Sequence, residues 1–403
     1  MTIGIDASRA FVKHRTGIEE YSYQVIRHLI LLLKNDQVVL YVRKNYNLQL
    51  ITNNQIGTLK LPENWKVKVI KWPYLWTQIG LSLEMLLHPV DVLFIPAHTV
   101  PIIHPLNTIV TIHGLEYEFC PQAYSFWARW YMRWSIKNSC HWAKKIIAVS
   151  NNTKQDLVRL YQVPEEKIRV IYEAYEDKSE IQNLKSEINS KLQIQSYKPY
   201  LMFIGRLEER KNIVGIIKAF EILKEQYKLP HKLILAGELG YGGKKIKEEI
   251  ENVNCSRDII LPGYVREEEK WKLLKNADVF LFPTFYEGFG LPILEAQSAG
   301  VPVVAGNNSS IPEIIKLCHS KQGKESCFNN NGGKMAASFT YNQNDNSALL
   351  VDPQKAEQIA DAAYELISNK SLRDDIIKRG YENVKRFNWK KCAEEIVTTL
   401  LDK

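Results

Sequence analysis

What this 403-residue chain has little of narrows it first. No stretch approaches the roughly 18 to 20 continuous apolar residues that a membrane-spanning helix needs. Cysteine is scarce. Cys120, Cys140, Cys255, Cys318, Cys327 and Cys392 are scattered and show no C-x-x-C spacing, so neither a zinc knuckle nor a redox dithiol is indicated. Free thiols in a reducing compartment are the expectation, with a local bridge between Cys318 and Cys327, which share a polar loop, left open. Neither sign of charge dominates. Fifty-three basic against 45 acidic residues leave +8, a mild excess that permits an anionic ligand or a membrane surface and does not demand nucleic acid. The opening MTIGIDASRAF has neither the charged start nor the apolar core of a signal peptide. The expected location is cytoplasmic, with a peripheral position at the inner face of the plasma membrane left open.

What is present is ordinary globular composition, 45% hydrophobic and 24% charged, in a chain long enough for two domains. Short apolar runs alternate with amphipathic stretches, the rhythm of β-α-β units and a parallel sheet. The strands expected in the first half are Ile3–Ile5, Val38–Val42, Val67–Ile70, Val92–Ile95, Thr108–Ile112, Lys145–Val149 and Ile168–Ile171, with helices at Ile18–Leu33 and Asn152–Tyr161. A second series runs Tyr200–Ile204, Leu233–Ala236, Ile259–Leu261, Val279–Phe282, Val301–Val304 and Leu349–Val351. The architecture expected is α/β, two doubly wound domains facing each other. Residues 1–178 form the first, 179–198 a polar linker, 199–386 the second, and 387–403 a closing amphipathic helix. Within the second, residues 317–346 are polar and rich in Gly and Asn, and read as a mobile surface loop.

The segment Phe282–Glu295, FPTFYEGFGLPILE, carries the most chemistry. Its pattern is a buried strand end, a loop with Glu287, a Gly-Phe-Gly turn and a helix with Glu295, the two acids separated by seven residues. In an open α/β sheet, ligands bind at the carboxyl ends of strands beside helix N-termini. Backbone N–H groups there suit an anion and carboxylates suit hydroxyls, and a phosphorylated sugar presents both. The strand Tyr200–Ile204 ends in Gly205, and Arg206 and Lys211 follow at the turn into a helix that Asn212 is placed to cap. Such cations suit a pyrophosphate. A solvated charged loop is the other reading, because Glu208, Glu209 and Arg210 lie there too. His113, at the carboxyl end of Thr108–Ile112, is placed either to reach a substrate or to serve as a hydrogen-bonded structural residue. Gly17, at the start of a helix, is either a phosphate approach or only a turn.

Together these residues resemble the family 4 glycosyltransferases of the GT-B fold, two facing Rossmann-like domains with an interdomain cleft. The likeness is strongest from Leu201 to Pro353, through FIGRLEERKN, LAG, LPGYV, ADVFLFP, EGFGLPILEAQSAGVPVVA, SSIPEI and ALLVDP. It is looser through TGIEEYS, TIHGLEYE, IIAVSNNTKQDL and RFNWKKCAEE. The resemblance implies retaining transfer of a hexose, of mannose or glucose type, from a GDP- or UDP-sugar to a glycan or lipid-linked acceptor in surface polysaccharide or glycolipid synthesis. It implies no cofactor and no metal, and no convincing D-x-D-like metal site is visible. Arg206 and Lys211 would neutralise the donor diphosphate, Glu287 would contact the transferred sugar, and Glu295 would hold the ribose hydroxyls. The N–H groups of Phe289, Gly290 and Leu291 would lie near sugar and phosphate, and Tyr264 and Val265 beside the base. Gly17 would approach the phosphates from across the cleft, and His113 would sit at the reacting sugar. The closing helix would cross back onto the first domain. A nucleotide-sugar epimerase and a non-catalytic sugar-nucleotide-binding scaffold are the alternatives. The acid pair argues against the first, and the presence of all four charged residues against the second. Two departures stand out: the polar stretch 317–346, and Tyr172-Glu-Ala-Tyr-Glu-Asp where the family has an Asn-Gly turn and an Asp.

Phe126–Trp142, FWARWYMRWSIKNSCHW, sets Trp127, Trp130, Trp134 and His141 on one helical face and Arg129, Arg133 and Lys137 on another. One reading is an interfacial membrane helix. The preferred one is a tryptophan stripe facing the core with a solvated basic face.

Overall fold

The structure is a computed structural model, and it describes residues 1–12, 15, 17–43, 51–52, 55–56, 59–175, 197–316 and 346–402. The expected linker and polar stretch, with Cys318 and Cys327, lie almost wholly outside the described residues. The chain divides into two compact units, Met1–Glu176 with Phe387–Lys403, and Asp177–Arg386.

The first unit is built on seven parallel strands: β1 (Thr2–Asp6), β2 (Gln37–Arg43), β6 (Trp65–Ile70), β7 (Val92–Ile95), β8 (Thr108–Ile112), β9 (Lys145–Ala148) and β10 (Ile168–Val170), in the order β10-β9-β8-β7-β1-β2-β6. Between β2 and β6 lie three two-residue strands, β3 (Ile51–Thr52), β4 (Gln55–Ile56) and β5 (Leu59–Lys60), in a small antiparallel sheet. They are too short to carry a readable period, and the sequence analysis does not anticipate them. β7 and β8 are buried along their whole length, as strands covered on both faces must be. The helices are α1 (Gly17–Leu32), α2 (Ser82–Leu87), α3 (Glu116–Phe119), α4 (Phe126–Trp142) and α5 (Asn151–Tyr161). Tyr21, Val25 and Leu29, one turn apart on α1, are fully buried, while Glu19 and Glu20 suit the positive end of the helix dipole.

The second unit holds six parallel strands, β11 (Tyr200–Ile204), β12 (Lys232–Ala236), β13 (Ile259–Gly263), β14 (Val279–Phe282), β15 (Val303–Gly306) and β16 (Leu349–Val351), ordered β13-β12-β11-β14-β15-β16. The sequence starts β15 two residues early. Gly300 at φ 75° ends the turn after the preceding helix, Pro302 has no N–H to give a ladder, and the strand begins at Val303. Its helices are α6 (Ile213–Glu225), α7 (Gly243–Asn252), α8 (Glu267–Asn276), α9 (Leu291–Ser298), α10 (Ile311–Ile315), α11 (Ala356–Ser368) and α12 (Lys370–Val384). The order reverses between β11 and β14, where β12 lies to one side and β15 to the other. That is the switch point at which open α/β sheets bind ligands. The last helix, α13 (Trp389–Leu401), belongs to the first unit. Asn388 caps it by accepting from the Lys390 and Lys391 amides, and Trp389, Cys392, Ala393 and Ile396 join the core of β1 and α1.

Candidate functional site

In the second unit, three strand ends are laced together before any side chain acts. The Gly205 amide donates to the Ala236 carbonyl (3.0 Å), Leu207 to Glu238 (2.9 Å) and Gly237 to Gly263 (2.9 Å). Gly237 has φ 148°, and a Cβ there would run into the Gly205 carbonyl, so only glycine allows this approach.

After β11 the chain makes a tight turn, Glu209–Lys211, and Asn212 follows in the left-handed region at φ 57°. Asn212 occupies the cap position of α6, but its side chain makes no capping bond. Its Nδ2 donates instead to the Pro283 (3.0 Å) and Pro353 (2.6 Å) carbonyls, so it ties three loops together. Lys211 is thereby aimed inward, only 8% exposed, and its Nζ donates to Glu287 Oε1. Arg210, which the sequence reads as part of a charged loop, lies 3.9 Å from the same carboxylate oxygen and donates to Glu208 at 3.0 Å. Burial, and then the Arg210 charge, push the Lys211 ammonium below the usual lysine range, while Glu287 and Glu208 pull the other way. Arg206 is 66% exposed, its Nε 3.7 Å from Glu208.

Glu287 is fixed by its neighbours in the 308–310 loop. Its amide donates to Ser309 Oγ (3.0 Å), while Ser310 Oγ donates to the carbonyls of Glu287 (2.9 Å) and Phe289 (2.8 Å). Asn308 donates to the Phe285 carbonyl (2.8 Å), and the Phe285 amide to that of Arg210 (3.0 Å). Ser309 itself sits at φ 50°, a conformation costly for a non-glycine residue and concentrated at functional sites. Gly290, at φ 116°, turns the chain into α9, with Pro292 in the first turn, where a missing N–H costs nothing. Phe289 is buried, and the α9 amides from Leu291 onward open the helix. Glu295 lies on α9 one turn further on. Its Oε1 accepts from Lys270 of α8 at 2.8 Å, a partner the sequence analysis misses. Tyr264 and Val265 follow β13 beyond Gly263. The first is half exposed and the second buried. The structure therefore joins Lys211, Arg210 and Glu287 directly, and it gives Glu295 and Arg206 separate partners.

In the first unit, His113 is buried. Its Nδ1 lies 2.7 Å from Glu173 Oε1 and its Nε2 2.8 Å from the Pro96 carbonyl, with the Tyr21 ring edge-on at 4.6 Å. A carboxylate and a carbonyl face the two nitrogens, so both bonds form only if the pair holds one proton more than neutral imidazole with carboxylate. Glu173 is the residue that stands in the atypical turn. His98 lies beside His113, ring centroids 5.2 Å apart, at φ 53°. Burial, and then the neighbouring His113 and Arg9, hold it well below the ordinary histidine range. Gly17 opens α1, where an added Cβ would meet nothing within 4 Å.

On α4 the preferred reading fails. The buried residues are Ser135, Ile136, Ser139 and Cys140, whereas Trp127 is 75% exposed and Trp130 55%. Small side chains let the helix approach the sheet closely, and Ser139 Oγ accepts the Val100 amide at 2.8 Å. Three indoles could not fit there. The basic face is not simply solvated either. Arg133 bonds Glu118 through Nε (2.6 Å), and Arg129 donates to the Tyr117 carbonyl (3.0 Å).

Two family descriptions match the chain, Glycosyl transferases group 1 over residues 185–323 and Glycosyltransferase Family 4 over residues 15–177. The chain belongs to the family 4 glycosyltransferases. This transferase is 28% identical over 295 residues to O-antigen chain mannosyltransferase B of Escherichia coli, spanning 72% of this chain and 69% of that one. It is 32% identical over 191 residues to the alpha-monoglucosyldiacylglycerol synthase of Streptococcus pneumoniae, spanning 46% and 42%. Among solved structures, WaaG, a glycosyltransferase involved in lipopolysaccharide biosynthesis, superposes with TM-score 0.65 over all of both chains at 14% identity. Anabaena HepE in complex with UDP-glucose superposes with TM-score 0.66 over 99% of this chain and 98% of that one, at 15% identity. The fold of this glycosyltransferase is GT-B.

Proposed function

We propose that this glycosyltransferase moves a hexose from a UDP- or GDP-sugar to a glycan or lipid-linked acceptor, with retention at the anomeric carbon and without a metal. The observation that carries the reading is the buried Lys211–Glu287 pair at the ends of β11 and β14, beside the N-terminus of α9. Arg206 and Lys211 meet the diphosphate, and the N–H groups of Phe289, Gly290 and Leu291, leading into α9, add a helix N-terminus. Glu287 contacts the sugar, Glu295 the ribose hydroxyls, and Tyr264 and Val265 the base. Gly17, at the α1 N-terminus, keeps the phosphate role that the family resemblance implies. Neither φ nor packing demands glycine there, so the remaining reason for it is room in front of the helix. His113, its ring fixed by Glu173 and Pro96, keeps the role toward the reacting sugar that the family resemblance implies.

In the step proposed, the bond from the anomeric carbon to the diphosphate oxygen breaks. The acceptor oxygen bonds to that carbon on the same face, and its proton passes to the departing phosphate. Charge develops on the phosphate, where preorganised cations and amides act most strongly. Support for a hexosyl donor comes from the mannosyltransferase relative and from the UDP-glucose held by HepE. The test is NMR of the first-formed product from UDP-glucose or GDP-mannose. The anomeric configuration of the donor is expected to be kept, and an inverted product overturns the reading.

The acceptor side of the proposal includes contact with a bilayer. Among the described residues no helix is long and apolar enough to cross a membrane. The exposed aromatic face of α4 continues, however, through Trp134 and Trp142 (6.3 Å) to His104 (6.0 Å from Trp142), in a loop with Ile102, Ile103 and Leu106 exposed. The Ile103 amide donates to Ser82 of α2 (3.2 Å), where Leu86 and Leu87 are exposed. Indoles and aliphatic side chains beside the exposed Lys137 suit the interfacial zone of an anionic bilayer. Co-sedimentation with phosphatidylglycerol vesicles is expected for the wild type and lost in Trp127→Ser/Trp130→Ser. Equal pelleting of the two removes bilayer contact from the account.

A further inference from the structure

Lys270, at the ligand-binding end of the second unit, is used by neither the motif nor the proposed chemistry. It lies on α8, its side chain only 15% exposed, with Nζ 2.8 Å from Glu295 Oε1 and 3.1 Å from Glu267 Oε1. Glu267 is held in turn by Trp271 Nε1 at 3.1 Å, and the Lys270 ammonium lies 5.5 Å from the centroid of the Trp271 ring. Burial works against the Lys270 charge, yet Glu295 and Glu267 keep it above the ordinary lysine range, so the ammonium persists at neutral pH.

The placement is asymmetric. Lys270 takes one oxygen of Glu295. Among the described residues no protein donor reaches the other, and the side chain is 24% exposed, enough for a ligand to approach. A glutamate has three rotatable bonds, and one left free loses much of its affinity in ordering itself around a ligand. An ammonium anchored from behind by a second carboxylate removes that freedom in advance and leaves Oε2 directed at whatever Glu295 binds.

We propose that Lys270 is a positioning residue for the donor nucleotide. It orients the Glu295 carboxylate so that the pair, rather than the glutamate alone, recognises the ribose hydroxyls. This rests on the assignment of Glu295 to the ribose. Lys270 touches no reacting atom, so its removal acts on donor affinity and on the value of each ribose hydroxyl, not on the chemical step.

The experiment is calorimetric titration with UDP, GDP and their 2′-deoxy forms, on wild type, Lys270→Met, Lys270→Arg and Glu295→Gln, with melting curves and steady-state kinetics alongside. Wild type is expected to prefer the ribonucleotide. Lys270→Met is expected to bind it roughly threefold to tenfold more weakly. Its preference over the deoxy form should collapse toward that of Glu295→Gln, with donor KM raised and kcat within about twofold. Lys270→Arg keeps a cation at the carboxylate and is expected to restore most of the preference. A merely structural tie between α8 and α9 would lower the melting temperature and leave the ribose preference intact. If Glu295→Gln loses the preference while Lys270→Met keeps it, the Lys270 proposal is overturned and the ribose assignment stands. If Glu295→Gln keeps the preference, or wild type shows none, the ribose assignment falls and the proposal with it. Should Lys270→Met fail to fold, Lys270→Gln supplies the same comparison.

Discussion

Lys211→Ala and Glu287→Gln are each expected to lower kcat/KM by about 10² to 10³, the usual loss when one preorganised electrostatic contact to a transition state is removed. The two side chains are a buried pair, both about 10% exposed, so removing one also leaves the other without its partner, which itself costs stability. The double substitution Lys211→Met/Glu287→Leu separates the effects. It takes both charges out of the interior and is expected to regain stability without regaining turnover. The pH dependence follows from the same geometry. Burial and Arg210 hold Lys211 below the usual lysine range, and Glu287 opposes them. Activity that needs the ammonium must therefore fall on the alkaline side earlier than for an ordinary lysine. Removing Glu287 takes away a cause that raises the Lys211 pKa, so the alkaline limb of the residual kcat/KM in Glu287→Gln is expected at lower pH than in wild type. An unmoved limb would separate Lys211 from the catalytic charge.

The second large effect lies in the first unit. Glu173→Ala is expected to destabilise the fold by about 3 kcal/mol, the upper end of the cost of leaving a buried polar group without its hydrogen-bond partner. It strands the Nδ1 of His113, whose other nitrogen is already committed to Pro96. Glu173→Gln still offers an amide at the same distance and is expected to cost only about 1 kcal/mol. Urea unfolding distinguishes the cases. Equal, small losses for both variants would mean that Glu173 is not the partner that fixes His113.

How much of this was legible depends on whether the signal was local. β7, β8, β11, β14 and β16 are short apolar runs covered on both faces, and their limits match the sequence. The pairing of Lys211 with Glu287 spans 76 positions and exists because β14 lies beside β11 in the sheet. That neighbour relation comes from crossover connections, and no spacing reports it. Glu173 was visible only as an oddity after β10, and its meaning depends on His113, 60 residues earlier. Lys270 sat unremarked in the run Glu267-Glu-Glu-Lys270, where neighbouring acids suggest a solvated face. Its target lies on the next helix. The inversion of α4 has a different origin. Periodicity located a face rich in tryptophan, but close packing selected the small residues Ser135, Ser139 and Cys140 for burial, and hydrophobicity alone ranks these below Trp127.

The central claim is that the second unit holds a nucleoside diphosphate through the turn after β11 and the loop after β14. Titration calorimetry with UDP and GDP, on wild type and on Arg206→Ala and Lys211→Ala, tests it most directly. The account predicts saturable binding of at least one nucleotide by the wild type, weakened at least about tenfold in each variant, as expected for loss of a charge-assisted bond to phosphate. Binding that is unchanged in both variants, or no binding of either nucleotide by folded wild-type protein, would contradict it.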